Sequence, residues 1–296
     1  MNPKLLRVLR IPLTVGAIWW VLAAGIPTAM TQYAPYLVRP GVRCIHPAGV
    51  AAGRYIPQNT CLTLADLYHR PFADLFVESM FRSLALLFGA ALLALTVGTL
   101  LGVAAALLRR RALASGGIVA LTTLLAAVPA FFVAYFLQVV VIIIGASPEG
   151  GKLLPVFGFG YDSHLVLPLL SISLPAIAFT AQLTATRLVE VLNADFVTVA
   201  TAKGLRPSWI LAVHVLPHVR PVLLEGLGSG LRVSVASLPI IEYLFNWRGI
   251  GQLALEAVGV HDAAGFIFGA LVLAGLFATL SALADLSRPR ALYQRA

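Results

Sequence analysis

Residues Asp195–Pro217 read DFVTVATAKGLRPSWILAVHVLP, a polar and basic island in an otherwise apolar chain. Gly204 suits a left-handed helix end, because without a Cβ it takes positive φ freely. Pro207 has its φ preset for a first helical turn. The stretch therefore predicts one short helix over about Val189–Lys203, a break at Gly204, and a second short helix from about Pro207. Neither is long enough to cross a bilayer, so both are expected at its surface, presenting a face to a partner.

Outward from this stretch the chain consists of apolar runs. Of its 296 residues, 59% are hydrophobic and only 11% charged, with a mean hydropathy of +0.91. A soluble domain carries about 25% charged residues. The deficit places the chain in a membrane. Spans are expected at Ile11 to about Met30, Ser83–Leu108, Gly116 to about Gly145, Leu165–Thr184, Pro221 to about Phe245, and Gly265–Leu286. The expected fold class is all-α integral membrane, with six transmembrane helices. The first run follows Lys4, Arg7 and Arg10 and could also be a cleaved secretory signal. Its length of about 19 residues exceeds the usual ~7–15 of such a signal and favours a retained span.

This divides the chain into residues 1–30 (N-terminus and first span), 31–82 (a mixed, proline-containing segment), 83–286 (a five-helix core with the loop 187–220), and 287–296 (a basic tail). With six spans, Lys4, Arg7, Arg10, the Arg109–Arg111 triplet, Arg187, Lys203, Arg206, Arg220, Arg288, Arg290 and Arg295 share one side. They outnumber Arg39, Arg43, Arg54, Arg70, Arg82, Lys152 and Arg248 on the other. The positive-inside rule makes the first side cytoplasmic and puts both termini there. Cys44 and Cys61, the only cysteines, then lie outside, where oxidation can join them. The disulfide would contribute roughly 3 kcal/mol in the chain-entropy picture; two free thiols are the alternative.

Several classes of function are excluded. Lys4, Lys152 and Lys203 are the only lysines, and none stands in a G-K-[ST] setting, so the chain carries no phosphate-binding P-loop. The net charge of +9 is explained by cytoplasmic loops, and no basic patch is interleaved with aromatics as single-stranded nucleic acid would require. His214 and His218 are four apart, but no Glu accompanies them as in a zinc helix, and His46 and His69 fall outside zinc spacing. No serine sits in a nucleophile elbow. Neither a catalytic residue, a metal ligand nor a cofactor site is expected on this chain.

The central stretch resembles the EAA loop of ABC importer permeases: Thr198-Val199-Ala200, three residues, Gly204, nine residues, then His214-Val215-Leu216-Pro217. Thr198 and Val199 replace the general Glu and Ala, and His214 replaces Ile. Asp195-Phe196-Val197 with Ala202-Lys203-Gly204-Leu205 is more similar to the dipeptide/oligopeptide/nickel permease family. Two other segments agree. Glu242 through Gly251, EYLFNWRGIG, is similar to that family's E-x-x-F-x-W-P-G-x-G, with Arg248 in place of Pro. Leu154-Pro155-Val156 before Gly158 resembles its L-P-V-x-G turn, and Ser287-Arg288-Pro289-Arg290 is a degraded D-P-R ending. The family's Gly-Asp-Pro motif is not found before Ser83.

The resemblance implies a type I ABC importer-like permease in a bacterial inner membrane, forming half of a pathway. Its partners would be a second permease subunit, two ATPase subunits carrying ATP and Mg, an extracytoplasmic substrate-binding protein, and membrane lipid. It assigns the ATPase coupling loop to Asp195, Ala200, Ala202, Lys203, Gly204, Leu205, His214, Leu216 and Pro217. Peptides are the default substrate; nickel chelates or other small solutes are the alternative.

Ionisable groups within spans cost at least about 2.5–3.5 kcal/mol and need a reason. Glu225 and Arg232, seven apart, return to nearly one face of the fifth span. They can lean on each other or face a water-filled pathway. Glu242 can cap the loop that begins at Asn246 or line an outer gate, with Trp247, Gly249 and Gly251 beside it in a re-entrant turn. Gly226, Gly228 and Gly230 allow close helix approach, within one subunit or between two. Pro129, Pro168, Pro175 and Pro239 read as kinks or hinges. The rival class is an ion-coupled secondary transporter using Glu225, Arg232 and Glu242.

Overall fold

The computed structural model describes residues 16, 20, 49–51, 54–56, 64–146, 154–260 and 262–287. Most of the first expected span, both cysteines and the tail beyond Ser287 lie outside them. Two short antiparallel strands, β1 (Gly49–Ala51) and β2 (Arg54–Ile56), pair Val50 with Tyr55 and add a hairpin to the all-helical expectation. Nine helices follow among the described residues: α1 (Leu64–Tyr68), α2 (Phe72–Leu107), α3 (Ala112–Ala127), α4 (Ala130–Gly145), α5 (Val166–Leu192), α6 (Asp195–Ala202), α7 (Pro207–Phe245), α8 (Ile250–Gly259) and α9 (Ala263–Ser287). Four of them are long and apolar enough to cross a membrane, and the bent pair α3–α4 makes up to five. These are the five spans expected after the first.

The boundaries differ from the sequence reading for identifiable reasons. α2 starts at Phe72 rather than Ser83, because Pro71 opens it: the Asp74 and Leu75 N–H groups donate to the Pro71 carbonyl at 3.1 and 3.3 Å. Its turn at Ala94–Gly98 is a π turn. The expected third span breaks in two, with its halves bent by 99°. Val128 is extended (ψ 127°) ahead of Pro129, whose ring keeps the preceding residue out of the helical region. Pro175, by contrast, stays inside a continuous α5. There Ser234 Oγ of α7 donates to the Ile172 carbonyl at 2.7 Å, next to the Ser171 carbonyl that Pro175 deprives of its usual donor.

The described residues divide between two units. In one, spanning Leu86–Leu153, Val166–Ser237 and Leu280–Ala296, α5 is the helix most enclosed by its neighbours. Gly98 and Gly102 of α2 lie so close to it that an added Cβ would stand 2.8 Å from the Ile177 carbonyl and 2.6 Å from that of Ala181. Gly226 and Gly230 of α7 approach Phe179–Thr180 and Ala176 of α5 in the same way, and Gly228 meets Ala284 of α9. These three glycines therefore pack within this chain, and the reading of them as a subunit interface falls away.

The other unit, spanning Met1–Ala85, Leu154–Leu165 and Leu238–Thr279, is centred on Leu64, Ile250, Leu253, Ala257, Phe268 and Val272. Phe72 and Phe76 meet Phe268 edge-on at 5.5 and 4.5 Å. Asp262 caps α9 by accepting from the Gly265 N–H at 2.9 Å and ties in α1 through the Leu64 N–H at 3.0 Å.

Candidate functional site

The loop between α5 and α7 is built from its backbone upward. α5 runs to Leu192, so the first short helix is α6 alone, beginning at Asp195 after an extended Ala194 (ψ 149°), and not at Val189. Asp195 is exposed in the first turn, where a carboxylate complements the helix dipole. The end of α6 is a left-handed cap. The Gly204 N–H donates to the Thr201 carbonyl at 2.9 Å, the Leu205 N–H reaches the Ala200 carbonyl at 3.3 Å, and Gly204 has φ +74°. No atom lies within 4 Å of a Cβ built on Gly204, so its backbone, not its size, is what the turn uses. Arg206 is extended and Pro207 is the first residue of α7.

The second arm is not a separate short helix. Pro207–Trp209 continues through a π turn at Ile210–Val215 into Leu216–Phe245. A proline ring clashes with the carbonyl four residues before it; the wider π turn directly ahead of Pro217 gives the room, and the helix carries on. The helix runs on through Pro221, where a boundary was expected.

This loop is fastened from beneath. Ala200, Ile210, Val215 and Val219 form one buried cluster with Ala106 of α2 and with Leu188 and Val191 of α5. Phe196 stacks on His218 at 5.2 Å, and His218 Nδ1 donates to the His214 carbonyl at 2.9 Å. His214 is half-buried, while Leu216 and Pro217 are exposed. The outer side carries Val199, Ala202, Lys203, Leu205, Arg206 and Trp209, all exposed, with Val199 at 53% and Trp209 at 57%. It is a preformed protrusion, apolar with two cations at its turn.

In the other unit, Glu242 is fully buried and accepts three hydrogen bonds: Ser83 Oγ at 2.5 Å, the Gly251 N–H at 2.8 Å and the Gln252 N–H at 3.1 Å. Ser83 Oγ in turn accepts from the Ile250 N–H at 2.8 Å. Together they satisfy the first three N–H groups of α8, which no intrahelical acceptor reaches. Gln252 reaches back, its Oε1 accepting from the Arg248 N–H at 2.6 Å. Trp247 is fully buried; its Nε1 donates to the Arg82 carbonyl at 3.1 Å and its ring meets Phe159 edge-on at 4.9 Å.

The turn uses its glycines otherwise than their type implies. Positive φ falls on Asn246 (53°) and Arg248 (57°), not on Gly249 or Gly251. A Cβ on Gly249 would overlap the Glu242 carboxylate, and one on Gly251 would lie 2.5 Å from Pro239 Cα. They serve close approach, with α8 lying directly against the end of α7.

Residues 98–293 match the family described as the binding-protein-dependent transport system inner membrane component. The chain belongs to this family. It is 31% identical over 136 residues to a di/tripeptide transport system permease protein of Pseudomonas aeruginosa, covering 45% of this chain and 40% of that one. It is 30% identical over 135 residues to a metal-staphylopine import system permease protein of Staphylococcus aureus, covering 46% and 43%. The chain thus spans less than half the length of these relatives. A solved structure of the MetNI methionine ABC transporter, inward facing, superposes with a TM-score of 0.59 at 17% identity, covering 73% of this chain and 95% of that one. This last likeness shows the fold.

In this family member, Glu242, Trp247, Gly249 and Gly251 come together in one buried knot, whose capping bonds are the ones just described. Glu225 and Arg232 lie elsewhere, both partly buried on α7, with Arg232 Nη2 donating to Ser229 Oγ at 2.9 Å. Sequence reasoning missed Ser83, Arg82 and Gln252. Ser83 is separated from Glu242 by 159 positions, and no local periodicity links them. It also missed Tyr68, whose hydroxyl donates to Glu256 and whose ionisation is pushed upward, first by burial and then by that carboxylate.

Proposed function

We propose that the chain is a permease subunit of an ATP-driven importer, forming half of a translocation pathway and driven by an ATPase on another polypeptide. The observation that carries this is the protrusion of α6, Gly204 and the start of α7. Its cap and its buried anchors make it stiff, its outer face is apolar and cationic, and its base is packed directly on α2 and α5. A push on such a piece moves the helices instead of bending the loop. The partners are a second permease subunit, two ATPase subunits holding ATP and Mg, and an extracytoplasmic binding protein. The distribution of basic residues supports a cytoplasmic side for the protrusion and both termini. Peptides are the substrate class, supported by the name of the di/tripeptide relative; the metal-staphylopine relative makes a metal chelate the competing cargo.

Gly204→Asp tests the reading. Asp tolerates positive φ better than most residues, and nothing is there for its side chain to strike. The expected result is a chain that still folds, destabilised by about 1 kcal/mol. Co-purification with the ATPase should be lost, through a negative charge set between Lys203 and Arg206. Retained ATPase association would remove the protrusion from the coupling path. Uptake by the purified chain under a proton gradient, with no ATPase present, would put an ion-coupled carrier in its place.

A further inference from the structure

A cleft of ≈ 90 Å³ opens beside the turn at Arg248, lined in part by Tyr68, Arg70, Glu78, Arg82, Arg248 and Glu256. Three guanidiniums face two carboxylates, and both carboxylates are taken. Glu78 accepts from Arg70 at 2.7 Å through one oxygen and from Arg82 through the other. Glu256 accepts from Gln252 Nε2 at 2.8 Å through one oxygen and from the Tyr68 hydroxyl through the other. Arg82 is held further: its guanidinium lies 4.0 Å over the Phe159 ring and reaches the Arg248 carbonyl at 3.4 Å. Arg248 differs from its neighbours. Among the described residues its guanidinium makes no hydrogen bond or ion pair.

Its backbone, however, is pinned on both sides, by Gln252 Oε1 at the N–H and by Arg82 at the carbonyl, in a left-handed conformation (φ 57°). Non-glycine residues hold that conformation only where surroundings impose it, and such positions gather at ligand sites. Arginine also stands here where the resembled motif has proline. One water needs only about 10–15 Å³ of such space, so the cleft has room for a carboxylate and its adjoining carbon.

We propose that this cleft binds a single carboxylate group, with Arg248 as its cation. A planar guanidinium matches a carboxylate through two parallel N–H donors. Gln252 and Tyr68 line the cleft beside Leu75 and Leu253, so polar groups stand next to an apolar patch. The binding step does not depend on an ATPase, so its failure and the failure of the importer reading are separate results.

The test is ligand binding to the chain in nanodiscs, by calorimetry, with dialanine, dialaninamide and the α-amide of N-acetylaspartic acid, whose side-chain carboxylate is free, as probes. The expected result is saturable binding of dialanine or of the aspartic probe, with dialaninamide at least tenfold weaker. Whichever carboxylate binds tighter identifies the source, a peptide C-terminus or an acidic side chain. Arg248→Asn keeps the tolerance for positive φ and should lose at least tenfold in affinity, while Arg248→Lys, which keeps the charge but not the paired donors, should lose less than Asn but clearly more than nothing. Equal binding of the acid and the amide overturns the proposal. So does an absence of saturable binding, or unchanged affinity in Arg248→Asn with an unaltered melting curve.

Discussion

Glu242→Ala is expected to destabilise the purified chain by about 3–5 kcal/mol, since a buried donor left without its acceptor costs roughly 1–3 kcal/mol. Three donors lose their acceptor at once: Ser83 Oγ and the N–H groups of Gly251 and Gln252. Two of them open α8, so the loss falls on a helix start that nothing else can cap. Gly249 leaves no side chain to fill the gap. Glu242→Gln, nearly the same shape, keeps one acceptor oxygen but turns an amide NH₂ toward a donor, and should lose about half as much. Ser83→Ala removes both a donor to Glu242 and an acceptor for Ile250, and should fall between the two. Denaturant titration in detergent, followed by the fluorescence of the buried Trp247, measures all three. An alanine variant within about 0.5 kcal/mol of the parent would mean that water or a neighbouring group takes over the cap.

The second large effect is expected at Gly230. A Cβ there would overlap Ala176 Cα and stand 2.9 Å from the Pro175 carbonyl, both of them backbone. A side-chain neighbour can rotate away; a backbone neighbour moves only with its helix. Gly230→Val therefore drives α7 off α5 and stretches the bond from Ser234 Oγ to the Ile172 carbonyl. The cost is expected at about 3 kcal/mol, at the upper end for overpacking. Gly228→Ala should be milder, because it adds one carbon rather than three and the nearest backbone atom, Ala284 Cα, lies 3.4 Å away, although the Ala284 methyl at 2.6 Å cannot rotate aside. Gly117→Ala, with open space around it on α3, serves as the control and should stabilise by about 0.5–1 kcal/mol. Thermal unfolding of the four proteins orders them. Gly230→Val melting with the parent would show that α7 and α5 are farther apart than the backbone contact requires.

Some glycines of this chain exist for backbone conformation and others for proximity, and sequence distinguishes them unevenly. Gly204 was legible because its neighbours are local: α6 before it, Pro207 after it, and the two capping bonds all fall within a few residues. Gly249 and Gly251 were legible as a turn but not as a contact. Their partners Glu242 and Pro239 sit on the preceding helix, and the positive φ values turned out to belong to Asn246 and Arg248. The prolines divide in the same way. Pro129 ends a helix and Pro175 does not, although both stand in apolar runs. Pro129 follows an extended Val128, whereas beside Pro175 Ser234 Oγ of the neighbouring helix donates to the Ile172 carbonyl.

Sequence alone determined the membrane class, the five spans after the first, the polar loop with its left-handed cap, and the motif residues from Glu242 to Gly251. Each of these is set by composition or by neighbours within one or two helical turns. Tertiary structure alone decided that the second arm of the loop runs unbroken into α7, that Glu242 caps α8 through Ser83, and that Arg248 stands uncommitted at a charged cleft. Those outcomes depend on groups brought together from distant parts of the chain, and a buried polar atom is satisfied by whatever the fold places beside it, however far away it lies in sequence.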